Sequence, residues 1–277
     1  MPRPPGFNID PIFLITTPID IIGERDSGGT GFFFNFEEST YLVTNRHVVS
    51  GEDNLTEEGR EEIRNSPPEI AYYIRDADDF ENPNRVELDL STAASQWRFS
   101  PNGADISVIR IPQRLPDIWD VYEGETLTSY SLALTDRELL NWMRLTNDNV
   151  YTLGYPERVF DPQTKFPIRR NALIASPFDR PFNGEEKFLI DSRMDSGTSG
   201  SPVLINPGNI EYENREHLRR PNPVPLLIGI HSGNMLLDEF LDREDEDITR
   251  NDVESDLNET WRTEQMMETI VYLNREH

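Results

Sequence analysis

The chain has 277 residues, 36% of them hydrophobic and 10% aromatic, which is enough apolar material for one large unit or two small lobes and too much for wholesale disorder. Its 51 acidic residues against 26 basic ones give a formal charge of −25, a surface that repels nucleic acid and anionic lipid and argues against both as partners. Cysteine is absent, which excludes disulfides, thiolate metal sites and a cysteine nucleophile.

From the N-terminus, apolar residues are broken by Pro and Asp, without a continuous apolar core or a small-residue cleavage site. This predicts no signal peptide and a cytoplasmic protein. No run approaches the roughly 20 apolar residues of a membrane helix. Short runs rich in Val, Ile, Phe and Tyr follow at 12–16, 31–36, 41–44, 70–74, 105–111, 150–153, 188–191, 202–205 and 226–231, separated by Gly, Pro, Asn or Asp. That pattern predicts an all-β protein, a sandwich or barrel, with no βαβ alternation. Three stretches differ. The acidic segment 50–66 reads as an exposed loop or short helix. Thr135 and Glu138 form a capping box that predicts a helix over 135–143. Trp261, Met266, Met267, Ile270, Val271 and Leu273 recur at helical spacing and predict a closing C-terminal helix over 258–273. The acidic tract 238–256 lacks the spacing and central Gly of a calcium loop, so it reads as a solvated insertion, with no metal site. Only Lys165 and Lys187 are lysines. An acidic, Lys-poor surface fits a halophilic protein in a high-salt cytoplasm, and equally an ordinary acidic protein from a GC-rich genome.

Three motifs carry chemistry. In Asp195-Ser196-Gly197-Thr198-Ser199-Gly200-Ser201-Pro202, glycines permit a tight turn that exposes a Ser hydroxyl before a strand. The N–H groups of Gly197 and Ser199 are the candidate oxyanion hole. A Ser nucleophile needs a base that titrates near neutrality, and the chain has four His, of which His47 ends the apolar run Tyr41-Leu42-Val43-Thr44-Asn45-Arg46-His47. Asp105 opens the apolar run Asp105-Ile106-Ser107-Val108-Ile109, where a buried carboxylate needs a partner that His47 can supply. The chain order is His47, Asp105, Ser199.

With Gly29-Thr30-Gly31-Phe32, Val150-Tyr151-Thr152-Leu153-Gly154-Tyr155-Pro156 and Gly229-Ile230-His231-Ser232-Gly233, these motifs make the sequence similar to the trypsin-like (chymotrypsin-fold) serine peptidase superfamily, particularly its prokaryotic disulfide-free members. The resemblance implies two six-stranded Greek-key barrels: 8–125 carrying His47 and Asp105, and 145–275 carrying Ser199 and closed by the C-terminal helix. Residues 126–144 connect them. It also implies a serine endopeptidase acting on protein or peptide substrates through an acyl-enzyme, without metal or organic cofactor.

Zymogen-type members carry an Asp immediately before the Ser, to pair with a freshly cleaved N-terminus. Here that residue is Thr198, so control is expected from elsewhere, such as a regulatory protein partner. The strand around His231, Ser232 and Gly233 corresponds to a wall of the specificity pocket. Members selective for Glu, the glutamyl endopeptidases, carry a His at the place of His231, with small polar residues where Ser196 and Asn234 fall. This implies a preference for Glu or Gln at the residue before the cleaved bond (P1), with Arg193 adding positive charge at the pocket base. The rival readings are a silent scaffold kept as a protein-binding module, and an esterase using the same chemistry.

Overall fold

Strands form where Val, Ile, Phe and Tyr cluster between turn residues. The computed structural model describes residues 9–23, 28–50, 68–76, 79, 81–123, 131–135, 144–145, 148–206, 210–211, 224–235 and 256–275. The expected segments 51–66, 136–143 and 238–255 lie outside the described residues, as do His217 and His277.

The N-terminal half contains β1 (Thr16–Ile21), β2 (Gly28–Phe36), β3 (Ser39–Thr44), β4 (Glu69–Ile74), β5 (Asn84–Asp89), β6 (Trp97–Phe99), β7 (Ser107–Ile111) and β8 (Leu134–Thr135). They hydrogen-bond in the order β5-β4-β1-β2-β3-β7-β6, with β8 parallel to β2. The resemblance implied two six-stranded Greek-key barrels. Among the described residues the first takes the form of a half-barrel whose ends, β5 and β6, are not paired with each other. β6 has only three residues, and β5 carries Asn, Arg, Glu and Asp on a half-exposed ribbon that gives it little apolar face to bury.

The C-terminal half closes. Six strands, β10 (Asn149–Gly154), β11 (Ile168–Ile174), β12 (Lys187–Asp191), β13 (Pro202–Ile205), β15 (Leu226–Asn234) and β16 (Leu257–Arg262), form an antiparallel barrel in the order β10-β11-β12-β16-β15-β13. β9 (Arg144–Leu145) and β14 (Ile210–Glu211) make a separate two-stranded ribbon. The chymotrypsin-like arrangement of two β units and a C-terminal helix therefore holds.

Several boundaries differ from the sequence expectation. Of the expected run 12–16 only Thr16 is in a strand, because Pro11 and the side chain of Asp10, which accepts from Ile12 N–H, start a 3-10 turn over Pro11–Leu14. Thr135 lies in β8, paired with Asn35 of β2, and the rest of the expected helix, 136–143, lies outside the described residues. The C-terminal helix begins at Thr263 and runs to Arg275, so Trp261 sits in a strand. Helical spacing is overridden there because β16 finds backbone partners on both sides, in β12 and β15, and its pairing closes the barrel. β11 escapes notice in the sequence because its side chains alternate in burial with two adjacent arginines.

The two halves share a core. Phe32, Val43 and Val108 from one half pack with Leu153, Leu204 and Ile230 from the other and with Met266, Ile270 and Leu273 of the helix. Each of those three helix side chains contributes about 1.5 to 3 kcal/mol by leaving water. No helix of the described residues is long and apolar enough to cross a membrane.

Candidate active site

His47 stands in the first turn of a five-residue helix, Arg46–Ser50, that β3 leads into. Asp105 sits two residues ahead of β7, in a tight bend where Ile106 N–H donates to Ala104 O at 2.8 Å. Because β3 and β7 are adjacent, their register (Thr44 opposite Ser107) brings the two side chains together. His47 Nδ1 lies 2.6 Å from Asp105 Oδ2, and His47 N–H donates to Asp105 Oδ1 at 2.9 Å. Asn45 Nδ2–H donates to the Asp105 carbonyl at 2.7 Å, which fixes the bend. Ser232 supplies a further bond, its hydroxyl donating to Asp105 Oδ2 at 2.6 Å. Burial pushes the Asp105 carboxyl up, but the hydrogen bond and charge of His47, the Ser232 hydroxyl and the His47 amide outweigh it and hold the carboxyl below its ordinary range. A carboxylate on Nδ1 fixes the tautomer with Nδ1–H and makes Nε2, which keeps its lone pair, the basic nitrogen.

Ser199 lies in a turn that only glycines can make. Gly197 and Gly200 have φ of +87° and +86°. A Cβ on Gly200 would stand 2.0 Å from Thr30 O, and one on Gly197 2.5 Å from Tyr155 O. The carbonyls of this turn are bound outward. Ser196 O accepts from Glu157 N–H at 2.6 Å, and Thr198 O accepts from Ser201 N–H at 3.0 Å. With no cis peptide among the described residues, the N–H of each of these peptides points opposite to its carbonyl. The Gly197 and Ser199 N–H groups are thus turned away from those contacts. Both lack a protein acceptor among the described residues.

His47, Asp105, Ser199, Ser196, His231, Ser232, Gly233 and Asn234 all line one cleft of about 650 Å³. Arg193 does not line it. Its side chain is 82% exposed and leans toward Asp195 at 3.8 Å, with its charge left in solvent. His231 is only 1% exposed. Its Nδ1 faces Thr198 O at 3.1 Å and its Nε2 faces Asn258 Oδ1 at 3.2 Å. Burial pushes the His231 imidazole down, against the bonds from Asn258 and Thr198. Lys187, 7% exposed in the cleft wall, is held between Glu185 at 2.6 Å and Glu259 at 2.7 Å.

Sequence reasoning missed Thr30, whose hydroxyl donates to Gly197 O at 2.8 Å, and Asn258, which anchors His231. It named Ser232 as a pocket residue and missed its bond to Asp105. The available signal for Thr30 was its place in Gly29-Thr30-Gly31-Phe32.

Residues 29–210 match the sequence model of the trypsin-like peptidase domain. No curated protein is similar enough in sequence to count as a relative. Among solved structures, the chain superimposes on a thermostable serine protease from an extremophilic microorganism with a TM-score of 0.52 at 8% identity, covering 96% of this chain and 99% of that one. A mutant of human heparin binding protein gives 0.50 at 11% identity, covering 96% and 93%. The serine endoprotease from Yersinia pestis gives 0.48 at 12% identity, covering 95% of this chain and 63% of that one, so this chain spans less than two thirds of its length. At these identities the likeness concerns the fold alone.

Proposed function

The chain belongs to the trypsin-like peptidase domain family, and on that premise we propose that it is a serine endopeptidase with His47, Asp105 and Ser199 as its triad. The observation that carries this reading is the pair of hydrogen bonds from the His47 ring and amide to Asp105, 2.6 and 2.9 Å, in the same cleft as a Ser raised on a glycine turn. In the proposed reaction His47 Nε2 takes the Ser199 hydroxyl proton as Oγ bonds to the scissile carbonyl carbon. The carbonyl becomes an oxyanion facing the N–H groups of Gly197 and Ser199, each worth about 3 to 4 kcal/mol in comparable sites. Collapse of that intermediate breaks the C–N bond while His47 returns the proton to the leaving amine. Water then cleaves the acyl-enzyme by the same relay in reverse. Asp105 stays ionised throughout, orienting the imidazole and stabilising its charged form.

The P1 preference for Glu or Gln is supported by the polar lining of Ser196, Asn234 and His231. Both His231 nitrogens already face protein acceptors, so a substrate oxygen reaches Nε2 only by displacing Asn258 Oδ1. Lys187 is already neutralised by Glu185 and Glu259 and offers no free cation to a P1 carboxylate. The test of the activity is a fluorophosphonate probe: labelling of the wild type at Ser199, with none in Ser199→Ala, is expected. An unlabelled wild type would sink the reading.

A further inference from the structure

The turn that carries Ser199 is tied to the N-terminal half through Thr30 in β2. Its backbone N–H donates to Ser199 O at 2.8 Å. Its hydroxyl donates to Gly197 O at 2.8 Å and accepts from Tyr155 N–H at 3.1 Å. Thr44 Oγ1 donates to Thr30 O at 2.8 Å, bracing the residue from β3. Thr30 is wholly buried, and the backbone closes on it from two sides. A Cβ on Gly154 would lie 3.1 Å from its hydroxyl, and one on Gly200 would lie 2.0 Å from its carbonyl.

Gly197 O and Ser199 O follow the two proposed oxyanion donors closely along the chain. Gly197 N–H precedes the first carbonyl along the chain, and Ser199 N–H lies between the two. Holding both carbonyls leaves the intervening peptides little freedom to rotate. Thr198 adds no charge to hold the turn, since its hydroxyl folds back onto Asp195 O at 2.7 Å. We propose that Thr30 is a positioning residue that keeps the Gly197 and Ser199 N–H groups aimed into the cleft from across the junction of the two halves. This rests on the reading of Ser199 as nucleophile. Without the hydroxyl, Gly197 O and Tyr155 N–H are both left unpaired in the interior, and turning the Gly197–Thr198 peptide to find a new partner becomes favourable.

The test compares the second-order rate at which a fluorophosphonate reacts with four proteins. In that reaction Ser199 Oγ bonds to phosphorus, His47 takes the hydroxyl proton and fluoride leaves, with the phosphoryl oxygen in the oxyanion hole. Thr30→Val keeps the shape and removes the hydroxyl; its rate is expected to fall about 10- to 100-fold. Thr30→Ser restores the hydroxyl and is expected within about threefold of wild type. Thr40→Val is the matched control. That buried hydroxyl also donates once, to Asn35 Oδ1, and accepts once, from Leu115 N–H, but it lies away from the turn. It is expected to lose thermal stability comparably while labelling at the wild-type rate. If Thr30→Val does not fold, Thr30→Ala takes its place with the same expected slowing. Equal rates for wild type and Thr30→Val, equal slowing in Thr40→Val, or a Thr30→Ser protein as slow as the Val variant would each overturn the proposal. A wild type that does not label at Ser199 would remove the catalytic reading and the role of Thr30 with it.

Discussion

The Ser232 hydroxyl and the His47 imidazole converge on a single atom, Asp105 Oδ2, each at 2.6 Å. Ser232 belongs to β15 of the closed barrel and His47 to the N-terminal half, so one carboxylate oxygen joins the two halves at the cleft. Because these bonds hold the carboxyl below its unfolded value of 3.8, the folded form binds the proton less readily than the unfolded chain. The stabilisation from Asp105 is therefore intact above that value and is lost as pH falls through the folded one. Ser232→Ala removes one bond to the ionised form. Its acid unfolding midpoint, followed by near-UV circular dichroism, is expected at higher pH than that of the wild type. Superimposable acid transitions would contradict the account.

Ser199→Ala, His47→Ala and Asp105→Ala are each expected to lower turnover on a casein substrate by several orders of magnitude, about 10⁴-fold or more for Ser199 and His47. The three act as one unit, so a triple variant should be scarcely slower than the worst single one. A triple variant slower by the product of the single losses would show that they act independently.

Replacing Gly200 with Ala forces a side chain onto a φ of +86° and drives Cβ to 2.0 Å from Thr30 O and 2.6 Å from Thr44 Oγ1. Strain and overlap together are expected to cost about 3 kcal/mol or more. Gly184 has a similar φ, +78°, with nothing within 4 Å of the added atom. Gly184→Ala therefore isolates the conformational cost, about 1 to 2 kcal/mol. Denaturant unfolding of the two variants measures the difference, and equal losses would count against the crowding described around Thr30.

If the charge of −25 is an adaptation to salt, screening of self-repulsion should raise the melting temperature as KCl increases, with most of the gain reached by about 1 M. A flat or falling melting temperature across that range would favour the ordinary acidic protein.

The parts of the site that were legible in the sequence are those written in local turn chemistry. Gly197 and Gly200 announce a turn before the apolar strand β13, and Asp105 at the head of an apolar run demands a partner. The parts that were not legible depend on contacts distant in the chain. The Thr30 hydroxyl bonds a carbonyl 167 residues away, and its place in Gly29-Thr30-Gly31-Phe32 marks the residue without revealing that partner. Ser232 reaches Asp105 from a strand whose register with β16 shifts between His231 and Gly233, and strict alternation cannot place side chains across such a shift. The same limit made 258–262 read as helix: Trp261 and Met266 fit helical spacing, while the pairing of β16 with β12 and β15 is invisible locally.

The last prediction separates Gln from Glu at P1. Asn258 Nδ2 donates to Ser192 O at 2.6 Å and to Asp256 O at 2.7 Å, which turns its Oδ1 toward His231 Nε2. His231 thus stands between two acceptors, Asn258 Oδ1 and Thr198 O. A neutral imidazole has one N–H and can serve only one of them. Burial favours that neutral form. Glu185, Glu259 and Asp195 line the same cleft, with Arg46 and Lys187 as its cations, and Lys187 is already bound by two carboxylates. A P1 carboxylate entering this site meets acceptors and negative charge, whereas the Gln amide brings a carbonyl for the Ser196, Asn234 or His231 donors and an NH₂ for the acceptors. At neutral pH, kcat/KM on one peptide scaffold is expected to be about tenfold higher for P1 Gln than for P1 Glu. The ratio should narrow as pH falls and the Glu side chain takes up a proton. His231→Ala should reduce the Gln rate while changing P1 Ala little. An optimum at Lys, Arg or Phe, a Glu rate equal to or above that of Gln at neutral pH, or a profile unchanged in His231→Ala would remove this account of the pocket.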